Sequence, residues 1–292
     1  MSNRLQPIVF GEVLFDCFPD GQQILGGAPF NVAWHLQAFG DRPYLISRVG
    51  EDSPGRKILQ AIEEWGMDIS CIQTDSQHQT GRVDITLIDD EPHYTITPNC
   101  AYDFIDFENI NIPINHGILY HGTLALRNAN SRQSYERLAN LPGISTFLDV
   151  NLRAPWWQKD KVCDWLQRAR WVKLNLDELL QLSDISGDIE QQMTWLQKKY
   201  ELELLIVTRG EEGAIVRSHE GALYMSTPPE IPQFVDTVGA GDAFTAVFLH
   251  GLILQTSLID TLNAAQKFAS RVVGLRGAIS HDPDFYQPFR AE

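Results

Sequence analysis

Asp236-Thr237-Val238-Gly239-Ala240-Gly241-Asp242 is the stretch on which the reading of this chain turns. Three small residues precede an acid, and residues 243–254 then run apolar and helix-compatible. Gly239 and Gly241 can take backbone angles closed to other residues, so the main chain can fold tightly there. Its N–H groups would then point together at a helix start, where unpaired donors and the helix dipole favour an anion. Asp242 sits in the same cradle. An anion site beside a carboxylate base is what phosphoryl transfer to an alcohol requires. A turn whose acid caps a helix gives the same residues a structural role alone, and the rest of the chain has to separate the two.

Working outward, 292 residues suffice for a large core, and length alone suggests roughly two domains. A hydrophobic share of 43% with 21% charged residues fits an ordered globular protein. The net charge of −15, from 23 basic and 38 acidic residues, argues against non-specific binding to nucleic acid or to an anionic membrane. It does not oppose a phosphorylated ligand, which local donors hold. Cys17, Cys71, Cys100 and Cys163 lie far apart, so neither a zinc site nor a disulfide framework is expected. Residues 1–10 lack a signal-peptide pattern, and no run approaches the ~18 apolar residues of a membrane span. The expected location is cytoplasmic.

The flanking sequence alternates strand and helix signals. A first strand is expected over 8–15, a turn at Gly26-Gly27-Ala28-Pro29, and a helix from Pro29 through Phe39 closed by Gly40. A strand over 44–49 precedes a helix that Ser53 caps and Pro54 opens, ending near Gly66. Further strands are expected over 117–121, 145–150, 171–174 and 204–208. Helices are expected over 131–140, 161–170, 189–200, after Gly239, and over 259–274. Residues 82–88 and 93–97 instead alternate apolar and polar around Asp89-Asp90-Glu91-Pro92, the pattern of an antiparallel hairpin. The expected fold is α/β: a mostly parallel central sheet with helices on both faces, in one domain over 1–292. A small β lid, formed by about 14–25 and 80–103, projects from it.

Two nucleotide-binding motifs are absent. No G-x-G-x-x-G follows the first strand, which disfavours a dinucleotide fold. Gly50-Glu51-Asp52-Ser53-Pro54-Gly55-Arg56-Lys57 lacks the Gly-Lys-Ser/Thr ending of a P-loop and reads as a strand-to-helix turn. Gly26-Gly27-Ala28-Pro29-Phe30-Asn31-Val32-Ala33 is more informative. Its glycines let backbone approach a ligand, and Asn31 offers a donor and an acceptor to sugar hydroxyls. Asp16 accepts only and suits two adjacent hydroxyls. A tight turn with an early helix asparagine is the structural alternative.

Together, Gly26 to Ala33 with Gly40 and Gly50, and Asp236 to Phe244, resemble in spacing and order the two signatures of the ribokinase-like (PfkB) carbohydrate kinases. The resemblance covers essentially the whole chain. With Asp149-Val150-Asn151-Leu152-Arg153, it looks most like the fructokinase branch. It implies that Asp242 is the catalytic base and that Gly239, Ala240 and Gly241 form an anion hole. Asp16, Gly26, Gly27 and Asn31 correspond to the sugar contacts, and Arg153 to a basic residue near the phosphates, where a surface arginine is the alternative.

Asn175-Leu176-Asp177-Glu178 matches an N-x-x-E motif that organises magnesium and phosphate through water, although the same spacing makes a capping box. Residues 207–214 resemble the nucleotide loop, with Thr208, Gly210 and Gly213 near phosphates and ribose. Gln266 falls near adenine, and Asp236 beside a monovalent cation such as K+. Two positions depart from the pattern. Val247 replaces a usual Gly or Ala and is expected to face helix packing. Phe30 replaces a small residue and is expected to narrow the sugar pocket. The activity implied is ATP- and Mg2+-dependent phosphorylation of a primary hydroxyl of a small sugar, fructose first. Ribose, another ketose or a nucleoside are the alternatives within the family, and a non-catalytic sugar sensor outside it. The exposed lid edges suit a homodimer.

Overall fold

The computed structural model describes residues 4–88, 91–110, 112, 116–229 and 234–290. Strands number β1 (Gln6–Phe10), β2 (Leu14–Cys17), β3 (Gln23–Gly26), β4 (Tyr44–Gly50), β5 (Ile72–Asp75), β6 (Gly81–Ile88) and β7 (Glu91–Ile96). They continue as β8 (Gly117–His121), β9 (Ile144–Asp149), β10 (Trp171–Asn175), β11 (Leu204–Thr208), β12 (Ala214–Ser218) and β13 (Leu223–Ser226). Near-continuous apolar runs, as in β1 and β8, are what a strand covered on both faces requires. Nine strands form the central sheet in the order β13-β12-β11-β10-β9-β8-β1-β4-β5. The seven from β11 to β5 are parallel, and β12 and β13 close one edge antiparallel.

Helices cover both faces. On one side α1 (Ala28–Phe39), α2 (Ser53–Glu64), α7 (Ala240–Leu254) and α8 (Leu258–Val272) bury Leu36, Ile58, Phe248 and Phe268. On the other, α3 (Ala129–Ala139), α4 (Lys159–Leu166), α5 (Leu176–Leu182) and α6 (Ile189–Tyr200) bury Tyr135, Val162, Leu179 and Leu196. Each of the aliphatic and phenylalanine side chains among these contributes roughly 1.5–3 kcal/mol by leaving water. Val247 is buried in the first of these cores, in keeping with its expected packing role. Among the described residues, no helix is long and apolar enough to cross a membrane.

A second sheet, ordered β3-β2-β6-β7, gathers the segments expected to form the lid. The turn expected at Asp89-Asp90 lies outside the described residues. Several expectations need correction. The strand expected over 8–15 is two strands in different sheets, because the chain turns at Gly11. That residue has φ +152, and a Cβ there would come within 2.4 Å of the Pro29 ring. Asp52, not Ser53, caps α2, its Oδ1 accepting from the Gly55 N–H at 2.7 Å. Helix α4 stops at Leu166, since the Arg170 N–H bonds to the Thr146 carbonyl and draws the chain toward β10. Strands β5, β12 and β13 were not anticipated.

Candidate active site

The carboxyl ends of parallel strands are where an open α/β sheet offers a crevice. Here the ends of β9, β10 and β11 carry Asp149, Asn175 and Thr208, and Glu12 follows β1. A cavity of about 630 Å³ opens at this edge. It is lined by Asp16, Gly27 and Asn31, by Gly239, Gly241 and Asp242, and by Arg153, Asn175, Glu178 and Thr208. Two glycine-containing turns more than 200 residues apart therefore meet in one space.

Gly239 is the N-cap of α7 in the left-handed region, φ +78, and a Cβ there would lie 2.3 Å from that of Ala278. The Ala240 N–H bonds the Thr237 carbonyl at 3.2 Å, so in this structure it is engaged in the turn and not offered to an anion. The amides of Gly241 and Asp242 have no carbonyl four residues back within the helix and remain suited to one. Asp242 follows on the first turn, and its Oδ2 accepts from Asn31 Nδ2 at 2.8 Å. Loss of hydration pushes the Asp242 carboxyl up to about 6 despite that hydrogen bond, the nearby negative Asp149 adding to the rise.

Asn31 reaches this position because α1 starts at Gly27. Gly27 has φ +109, and a Cβ there would lie 2.7 Å from the Glu12 carbonyl. Asp16, on β2 of the small sheet, is also pushed up to about 6 by burial. Gly26 does not line the cavity; a Cβ at Gly26 would stand 3.2 Å from Asp16 Oδ2, so it leaves room for that carboxylate. Phe30 turns the other way. It is fully buried in the core and tilted against the Trp34 ring at 5.5 Å, so the expected narrowing of the pocket does not occur.

Asn175 and Glu178 form the capping box, and both line the cavity. Asn175 caps α5, accepting from the Glu178 N–H, while Glu178 Oε2 accepts from the Asn175 N–H, each at 2.9 Å. Glu178 Oε1 takes the Leu152 N–H at 2.7 Å, which ties the chain leading to Arg153 to the same carboxylate. Burial raises the Glu178 carboxyl against these bonds.

Other expected positions lie outside the lining. Gly210 opens a short 3-10 turn, and Gly213 has φ +86 where a Cβ would meet the Ser226 carbonyl at 2.0 Å. Gln266 is buried, with Nε2 donating to the Ser226 carbonyl at 3.2 Å. Asp236 Oδ1 accepts from the Val238 N–H at 3.1 Å, the geometry of a turn cap.

Three charged residues of the lining were given no role from the sequence. Glu12 is 3% exposed, its Oε2 has no hydrogen-bond partner among the described residues, and burial pushes its carboxyl up to about 7. Lys173 is buried and bonds both oxygens of Asp149, at 3.0 and 2.9 Å. The signal was present: a lysine inside Trp171-Val172-Lys173-Leu174 is out of place in a strand covered on both faces.

Residues 16–284 match the pfkB family carbohydrate kinases. The fructokinase of Escherichia coli is 30% identical over 297 residues, 94% of this chain and 95% of that protein. The fructokinase of Salmonella typhimurium is 29% identical over 296 residues, with the same coverage, 94% and 95%. Among solved structures, the fructokinase of Vibrio cholerae O395 with fructose, ADP and calcium ion bound aligns with a TM-score of 0.82 at 25% identity, covering 95% of each chain. Aminoimidazole riboside kinase from Salmonella enterica shares the fold, with a TM-score of 0.83 at 24% identity over 97% of this chain and 98% of that one. The sheet, the two meeting turns and a family match across most of the length agree: the chain belongs to the pfkB family of carbohydrate kinases, ribokinase-like in fold, and is a phosphotransferase with a sugar hydroxyl as acceptor.

Proposed function

We propose that this kinase transfers the terminal phosphoryl group of ATP to a primary hydroxyl of fructose. The observation that carries the reading is the Asn31 Nδ2 to Asp242 Oδ2 hydrogen bond, 2.8 Å long, on the wall of the cavity. It joins the side chain suited to hold a sugar to the side chain suited to take its proton. Fructose is favoured by the Escherichia coli and Salmonella typhimurium fructokinases and by the Vibrio cholerae enzyme with fructose and ADP bound.

In this mechanism Asp16 and Asn31 fix the sugar, and Asp242 accepts the hydroxyl proton as the oxygen attacks. Phosphoryl transfer depends mainly on positioning and charge stabilisation, so a carboxylate near 6 is an adequate base at neutral pH. The Gly241 and Asp242 amides face the moving group, and Arg153 adds positive charge. Thr208 and Asn175 serve the nucleotide end. Among the described residues no three metal-ligating side chains converge. The cavity does offer the Glu178 and Asp242 carboxylates, and Mg2+ keeps several waters and takes one or two carboxylates with substrate phosphates. Glu178 would hold one of its waters, and the ion would neutralise phosphate charge.

ADP release measured over a panel of fructose, ribose, other ketoses and nucleosides, with ATP and magnesium, tests the reading. Fructose should give the highest kcat/KM; a preference for ribose or a nucleoside would replace fructose as acceptor. Sugar binding without ADP release from any of them would turn the reading toward a sensor. Asp242→Asn should lower turnover by ~10²-fold or more while sugar binding is kept. Near-normal turnover in that variant would remove Asp242 as the base.

A further inference from the structure

Lys173 has no role in the mechanism above, yet it stands in the middle of it. Residues 171, 173 and 175 alternate onto one face of β10, so Lys173 shares a face with Asn175. It pairs in register with Asp149 on the neighbouring strand, and its ammonium contacts both Asp149 oxygens. Thr245 Oγ1 donates to Asp149 Oδ2 at 2.8 Å from the second turn of α7 and lies 2.9 Å from the Gly241 carbonyl. The ion pair is thus fastened to the helix whose first turn is the anion cradle. A Cβ placed on Gly241 would lie 3.3 Å from Lys173 Nζ, so the nitrogen stands immediately behind the cradle.

Buried ion pairs are often no more stabilising than apolar residues of the same volume, so this pair is weak evidence of a folding role and invites a functional one. The charge balance supplies one. Asp149, Asp242 and Glu178 all line the cavity with Lys173, and a polyphosphate adds further negative charge. An ammonium carries three donors, and Asp149 takes two of them.

We propose that Lys173 supplies fixed positive charge behind the Gly241–Asp242 cradle and stabilises the charge on the phosphoryl group in transit. This rests on the kinase reading of the cavity. The charge is in place before the reaction begins, and no side chain has to move to deliver it.

The test compares Asp149→Asn with the double variant Asp149→Asn/Lys173→Met, because in the Asn background Lys173 has lost the carboxylate it is paired with, while Asp242 and Glu178 still stand near its charge. Removing both charges also leaves neither one buried and unpaired, so the double variant should fold. With the sugar that the wild type turns over best, the double variant should have a kcat lower than Asp149→Asn by ~10²-fold, as for loss of one oxyanion-stabilising group. Its KM for the sugar should change little. Equal kcat values would overturn the proposal. A second arm needs no turnover: calorimetry of ADP binding with magnesium and sugar, with and without aluminium fluoride. Fluoride should tighten ADP binding in Asp149→Asn and not in the double variant; equal tightening would overturn the proposal. A wild type that releases ADP with no sugar would sink the functional reading instead, and the fluoride arm would still decide the role of Lys173.

Discussion

At the scale of single residues, the cavity holds carboxylates kept away from water. Burial pushes Asp242 and Asp16 to about 6 and Glu12 to about 7, and the guanidinium of Arg153 opposes the rise at all three. A base must be deprotonated to act, so kcat/KM should fall as pH drops through about 6 and level off above it. A profile flat to pH 5 would show that no group with this behaviour is needed. Glu12 has the opposite consequence for stability. Its folded value of about 7 lies above the ordinary 4.5, so between those values the folded state holds a proton that the unfolded state has released. Stability should therefore decline as pH climbs through that window, by up to about 3 kcal/mol from this one group. Glu12→Gln removes the titration, so its melting temperature relative to wild type should be higher at pH 8 than at pH 5. A difference independent of pH would mean that Glu12 is not strained by its charge. Neither consequence was legible in the sequence, where Glu12 is an acid in a strand-like segment and burial is invisible.

Among the elements, the start of α7 carries the strongest local constraint. Gly239→Ala would force a side chain into φ +78, at a cost of ~1–2 kcal/mol. It would also set a methyl against Ala278, where a Cβ meets another at 2.3 Å. The variant should melt at a lower temperature than wild type and lose most of its kcat, because the cradle must shift to fit the methyl. Wild-type kcat would show that the turn is not what holds the phosphoryl group. Elements of this kind were readable where one residue type is required: Gly40 ends α1 in the left-handed region, and Asp188 caps α6 at its expected start. They were misread where a distant partner chose between near-equal options. Asp52 displaced Ser53 as cap because its carboxylate also receives the Thr80 N–H and hydroxyl, at 2.9 and 2.6 Å. Strand β12 starts at Ala214, the last residue of the segment that resembles a nucleotide loop, and its ladders with β11 and β13 make it a strand.

For the whole molecule, the question is how the small sheet and the cavity act together. Asp16 and Leu14 on β2, Val83 on β6, and Tyr94 and Ile96 on β7 line the cavity beside residues of the central sheet. A sheet placed so can act as a lid, closing on the sugar and excluding the water that would otherwise accept the phosphoryl group. Fructose with a non-hydrolysable ATP analogue should then slow amide hydrogen exchange in β2, β6 and β7 more than in the central sheet. Exchange unchanged by both ligands would remove the lid role. The sequence by itself determined the α/β alternation, the hairpin and the two glycine turns, because periodicity and backbone angles are local properties that each residue carries with it. Tertiary structure alone decided that Asn31 touches Asp242, that Phe30 faces the core, and that Lys173 lies behind Gly241. Those facts depend on which strand ends become neighbours and which charges lose their water, and both are set only when distant segments pack.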